Sequence, residues 1–256
     1  MVDTGEARVS ALKGVGPQLE GKLASLGVHS VIDLLFHLPI RYQDRTTTLA
    51  IGELRSGSEV LISGRIEASG VQFGRRRSLI TVISDDTGRL TVRQFHFNAS
   101  QRRGLKRGAF IQCYGEVRSG PTGLEMVHPE YRLIEGPDAV EVETTLTPVY
   151  PTTEGIGQRR WRDLTGQALA RCGEAAPELL GDWAGFEFSD LPLWEALTQL
   201  HRPPAGVDLE TLKAGTHPAQ QRLAFEELLA NHLAVRRRRE RRDALSAQSI
   251  PASTEF

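Results

Sequence analysis

Between residues 58 and 134 the hydrophobic period is two, and this constrains the chain more than any other feature. Five short runs rich in β-branched and aromatic residues follow one another: VLISGRIEA, SLITVIS, RLTVRQFHF, FIQCYGEV and LEMVHPEYRLI. Alternating side chains point to opposite faces of a strand, so runs of this kind form a sheet with one buried face and cannot settle as amphipathic helix. Turn-forming residues separate the runs. Asp86-Thr87-Gly88 and Ser119-Gly120-Pro121-Thr122-Gly123 mark hairpins, and the polar stretch from Asn98 to Gly108 is long enough for a short helix.

The expected order is strand, strand, strand, helix, strand, strand. This is the order of an OB-fold barrel, a frequent carrier of oligonucleotides, although small barrels of other functions share it. The expected class is therefore α+β, a five-stranded barrel at 57–146 with helical segments on either side. In the first, 1–56, residues 9 to 56 read as helical. Leu19, Leu23 and Leu26 repeat at helical spacing, as do Val31, Leu34, Leu35 and Leu38. Pro17 suits a first helical position, Gly27 a C-terminal cap, Ser30 with Asp33 a capping box, and Pro39 a stop. In the last, 147–256, a Pro-rich strap from Thr147 to Thr153 leads into helices at 157–172, 191–201 and from Gln220 to near Arg242. The final helix has Leu223, Leu229 and Leu233 on one side and a run of arginines, 236–242, that reads as a solvated face.

The formal net charge of −1 hides an asymmetry. From 61 to 120 there are 11 Lys and Arg against four acids (Glu67, Asp85, Asp86 and Glu116), an excess of 11 − 4 = 7 positive charges. A polyanion-binding face has this character. In the third run, alternation puts Arg89, Thr91, Arg93, Phe95 and Phe97 opposite Leu90 and Val92. In the fourth, Ala109, Ile111, Cys113 and Val117 fill the barrel while Phe110 and Tyr114 point outward. Cations for phosphates beside flat rings for bases are what single-stranded nucleic acid requires. The competing reading buries these rings under a neighbouring helix, and a bulge would reverse the register. Arg75, Arg76 and Arg77 at a hairpin tip, and Arg102, Arg103, Lys106 and Arg107 after the third run, complete the candidate contacts. For the hairpin arginines a solvated loop is the rival reading.

Gly16 to Leu23 almost spells a phosphate loop. It fails mechanically, because Leu23 offers no hydroxyl, Pro17 removes a backbone donor and no strand precedes it. The same residues fit a helix-hairpin-helix turn, in which Gly14 and Gly16 either present amides to a DNA phosphate or merely permit a close helix crossing. Cys113 and Cys172 are read as ordinary thiols in a reducing compartment, the seven histidines lack ligand spacing, and no metal is assigned. No nucleophile or paired-carboxylate motif stands out, so no catalytic residue is named. No apolar run approaches membrane-spanning length and the first ten residues lack a secretion signal's features, so a cytoplasmic, non-membrane location is expected.

Several strings resemble the amino-terminal part of the RecG family of bacterial ATP-dependent DNA helicases. They are Leu12 to Pro17, Asp33 to Pro39 with Arg41 to Arg45, and His128 to Tyr131. Further along, Pro148 to Gly155, Leu200 to Pro203 and His217 to Leu229 continue the likeness in family order over nearly the whole chain. The resemblance implies a wedge domain, an OB barrel set in helices, that splits strands at a replication fork or Holliday junction during recombination and repair. It also implies an aromatic at Phe95 that stacks on an unpaired base. Gln94 departs from the family's frequent aromatic, and Ala99 from a second stacking ring in some relatives. Partners implied are branched DNA with single-stranded character, C-terminal motor domains that would begin beyond Phe256, and a single-stranded-DNA-binding protein, in a nucleoid setting. ATP and Mg belong to the full-length family, and no residue here is assigned to them. This chain alone is expected to be no enzyme. A free-standing single-strand-binding OB protein is the alternative, and an enzyme with an unrecognised site the third reading.

Overall fold

The computed structural model describes residues 7–74, 76–151, 155–173, 178 and 191–244. In chain order its named elements begin with helices α1 (Pro17–Ala24) and α2 (Val31–Phe36) and strands β1 (Arg41–Gln43), β2 (Glu59–Gln72), β3 (Ser78–Ser84) and β4 (Arg89–Gln94). Helix α3 (Ala99–Gly104) precedes β5 (Phe110–Gly120), β6 (Gly123–Val127), β7 (Glu130–Ile134) and β8 (Thr147–Val149), and the remaining helices are α4 (Gln158–Cys172), α5 (Leu193–His201), α6 (Leu209–Ala214) and α7 (Pro218–Asp243). The chain divides into a helical unit (Met1–His37, Asp163–Leu200 and Leu209–Phe256) and a strand-rich unit (Leu38–Arg162 and His201–Asp208).

In the helical unit the local signals act as their chemistry dictates. Pro17 opens α1, where its missing N–H costs nothing, and Gly27 follows in the left-handed region at φ 78°. Ser30 and Asp33 form a reciprocal capping box at α2. Burial alone pushes the Asp33 carboxyl up. The amides of Ser30 and His29 that it accepts outweigh this, and its pKa lies below the ordinary value. Leu23, Val31, Leu34 and Leu35 are fully buried. In α7, Arg222 is buried as well, with ion pairs of 2.6 Å to both Glu178 and Glu226 and an Nε–H donated to the Leu191 carbonyl at 3.2 Å. The expected helical reading of 9–56 holds for 17–36 only. Residues Val9–Ala11 form a single 3-10 turn, so the Gly14–Gly16 turn is not flanked by two α-helices as a helix-hairpin-helix would need.

Residues 41–43 are likewise strand rather than helix. Strand β1 pairs antiparallel with β8, Arg41 opposite Val149, so residues 147–149 of the Pro-rich strap are held in a ladder. The Tyr150 ring beside it stacks on Trp161 and on His201, with centroids 5.8 Å away in each case, and its hydroxyl shares a 2.8 Å hydrogen bond with His201 Nδ1.

The main sheet has six strands in the order β2-β3-β4-β6-β5-β7, and β5 also pairs with β2. Each neighbouring pair is antiparallel except β4–β6, which is parallel. The fifth predicted run is two strands, β6 and β7, because Pro129 supplies no N–H and His128 turns the chain with φ 52°. Inside lie Ile62, Ile66, Leu79, Ile83, Leu90, Val92, Ile111, Cys113, Val117 and Met126, so the alternation read from the third and fourth runs is correct for the core. Burial pushes the Cys113 thiol up to about 12, which keeps it protonated and inert. At the β3–β4 turn, Asp85 accepts from the amides of Ile51, Thr87 and Gly88 at 2.8, 2.8 and 2.9 Å. Burial pushes this carboxyl up, and the hydrogen bonds more than offset it, leaving its pKa below the usual carboxylate value.

Candidate nucleic-acid interface

The outward faces of β2, β3 and β4, with the β5–β6 turn, line a groove of about 1210 Å³. Its floor is uncharged and largely apolar, from Ala68, Gly70, Ile80, Val82 and Thr91, and its cations are Arg76, Arg89 and Arg93. Gly74 and Arg76 belong to the β2–β3 hairpin tip. Pro121, Thr122 and Gly123 stand on the β5–β6 turn, and Phe95 lies just past the end of β4.

Phe95 is the predicted aromatic that the structure brings to the groove. It is partly buried, its amide donates to His128 Nε2 at 3.1 Å, and its ring lies 5.8 Å from the His128 ring at a 48° tilt. Phe97 does not join it. Strand β4 ends at Gln94, the alternation stops there, and Phe97 packs against the core cluster with the Arg77 guanidinium 4.8 Å over its ring. The expectation of Phe97 on the open face is therefore corrected, and Arg77 acts as its lid. Tyr114 is also covered, at 4% exposure, with the Arg45 guanidinium 4.2 Å from its ring and its hydroxyl on Glu59. Gln94 is buried at 4%, facing inward.

Arg93 lines the groove but is paired. Its Nε–H donates to Glu125 Oε2 at 2.9 Å, with only 17% and 12% of the two side chains exposed. Arg76 is exposed, and Arg75 lies outside the described residues. Arg102 and Arg103, in the last turn of α3, and Lys106 and Arg107 after it are exposed but do not line the groove. Gly14, with φ 80°, and Gly16, the N-cap of α1, belong to the helical unit. Leu23, at the end of the rejected phosphate-loop string, is fully buried. Among the described residues there is no cluster of three or more His, Cys, Asp or Glu able to hold a metal, and no helix is long and apolar enough to cross a membrane.

Sequence reasoning missed Phe73. It stands at the β2–β3 hairpin tip with 81% of its surface exposed, next to the arginine triplet. A signal was present, because hairpin tips favour Gly, Asn and Asp, and an aromatic there has no core to enter.

These features define a mixed α+β protein with a cationic, aromatic-edged groove on a strand-rich unit. Residues 9–171 match the RecG wedge domain, and the chain belongs to that family. It is 43% identical over 255 residues to the ATP-dependent DNA helicase RecG of Pasteurella multocida, covering 97% of this chain and 36% of that protein. Against the RecG of Escherichia coli K12 the identity is 44% over 246 residues, 96% of this chain and 35% of that one. A solved structure of RecG bound to a three-way DNA junction aligns with a TM-score of 0.63 at 26% identity, over 95% of this chain and 32% of the other. The chain thus spans about a third of the length of the curated relatives it matches.

Proposed function

We propose that the strand-rich unit is a branched-DNA wedge, with the groove taking a strand displaced at the branch point. The pairing circuit β2-β3-β4-β6-β5 and back to β2, with one parallel step, supports reading it as a five-stranded OB barrel to which β7 is added. The observation that carries the functional reading is the groove itself. Its floor is uncharged and largely apolar, Arg76 and Arg89 at its margin would meet phosphates, and Phe95 offers a flat ring just past the end of β4. A ring stacks on any base, but only where the base is unpaired, so Phe95 favours a branch point over continuous duplex. Arg102, Arg103, Lys106 and Arg107 add positive charge outside the groove, suited to duplex arms through phosphates alone. We place the unit in a RecG-like, ATP-dependent helicase of recombination and repair, at replication forks and Holliday junctions. There, motor domains would draw the arms past the wedge.

The test is a salt titration of affinity for three-way junction, four-way junction, linear duplex and single strand of matched sequence. Branched DNA is expected to bind most tightly. With about four phosphates neutralised, the log–log salt slope on duplex arms should be near −3.6. Equal affinity for fork and blunt duplex overturns the wedge. Preference for single strand over every junction instead favours a free-standing single-strand-binding module.

A further inference from the structure

We propose that His128 is the positioning residue for Phe95, an inference that rests on the wedge reading above. The parallel β4–β6 ladder pairs Arg93 with Val127, and the His128 amide donates to the Arg93 carbonyl at 2.9 Å. In a parallel ladder that continued, the next bond would run from the Phe95 N–H to the His128 carbonyl. The chain does not allow it. His128 enters the left-handed region with φ 52°, Pro129 follows, and the ladder ends at Val127. The imidazole of His128 takes over, its Nε2 accepting the Phe95 N–H at 3.1 Å. One residue therefore holds both sides of the strand end, through its backbone to Arg93 and through its side chain to Phe95.

The ring does more than complete a hydrogen bond. It lies 5.8 Å from the Phe95 ring and also stacks on His96 at 5.8 Å with a 22° interplanar angle, so both side chains past the strand end lean on it. His128 is exposed and contributes nothing to the core cluster, yet it is the one non-glycine residue with positive φ among the described residues. A histidine in that conformation is uncommon, and strain of this kind persists where the surroundings enforce it. Without the bracket, the Phe95 backbone past Gln94 has no strand partner on either side, since the β3–β4 register also ends at Gln94. The ring would then pay conformational entropy on each encounter with a base.

The experiment uses the full chain and a three-way junction carrying 2-aminopurine at the branch point, with linear duplex as control. His128→Leu removes the acceptor and keeps bulk. It should weaken junction binding about tenfold, within the span that stacking supports, and reduce stacking-dependent quenching. Duplex affinity and salt slope should stay unchanged. His128→Gln restores an acceptor of similar reach and should recover most of the loss, which a purely space-filling role would not produce. In a Phe95→Ala background, His128→Leu should cost nothing further. Additive effects, an equal loss on duplex, or no recovery with glutamine would overturn the positioning role. A Phe95→Ala variant that binds junctions normally sinks the stacking reading and this inference together. A Phe95→Ala loss with an inert His128→Leu sinks this inference alone.

Discussion

Replacing Glu125 with glutamine should tighten DNA binding and steepen its salt dependence. Arg93 and Glu125 cancel one another at the groove wall, 2.9 Å apart and mostly shielded from water. Glutamine keeps an oxygen for the Arg93 Nε–H, and the stability lost with the ion pair should be about 1 kcal/mol. In binding, the change removes an anion and frees a guanidinium. A unit charge about 6 Å from a phosphate is worth about 0.7 kcal/mol in water, so affinity at low salt should rise roughly threefold. One additional neutralised phosphate adds about 0.9 to the magnitude of the slope, which would move from near −3.6 to near −4.5. Between 50 and 200 mM salt the variant's advantage should therefore shrink about 3.5-fold. The assay is fluorescence anisotropy on junction and duplex across that range, with a thermal melt of each protein. Unchanged slope and affinity in a folded variant would show that Arg93 does not face DNA, and the groove could not then be the path of the strand.

Phe95→Ala should cost roughly 1 to 3 kcal/mol of junction affinity and leave duplex binding alone, as measured by the same anisotropy. Phe73→Ala should leave the melting temperature unchanged, because the side chain is 81% exposed, and any loss of junction affinity would then report direct contact. Arg222→Ala should destabilise the chain by about 3 kcal/mol in urea titration, since it strands the mostly buried Glu226 carboxylate and empties a site only 1% exposed. Asp33 and Asp85 have folded pKa values below the ordinary 3.8. Their contribution is complete above that value and fades as pH falls through the lowered folded values, so the melting temperature should drop below about pH 4, and less steeply in Asp85→Asn.

The strands of the main sheet were legible because period-two alternation and turn residues are local signals, and both survive in β2 through β6. What escaped depended on distant partners. Strand β1 is three residues long and finds its ladder in β8, whose central residue is Pro148, so neither shows a period that a window could detect. Counting alternate residues carried the open face through Phe97, but the count cannot register that pairing stops at Gln94. Phe97 is free to turn inward for that reason. Tyr114 stands outside the core cluster of the sheet, as alternation requires, yet Arg45 covers it from a loop 69 positions earlier (114 − 45).

The same locality explains which positive charges DNA can meet. A strand residue has neighbours about 5 Å away across the ladder, so a cation there readily acquires a carboxylate. Arg93 takes Glu125 from β6, and Arg118 takes Glu116 from its own strand. Turn and helix-end residues lack such neighbours: Arg76, Arg102, Arg103, Lys106 and Arg107 are exposed, with no ion pair among the described residues. Among the described residues, much of the positive excess counted in the sequence therefore sits at the β2–β3 hairpin tip and in and just after the last turn of α3. Phosphate attraction of that kind is sequence-independent and screened by salt. On the wedge reading proposed above, discrimination between branched and linear DNA would have to come from a rigid element instead, and at the groove the candidate is the strand end, where the Phe95 backbone is fixed by a hydrogen bond rather than by charge.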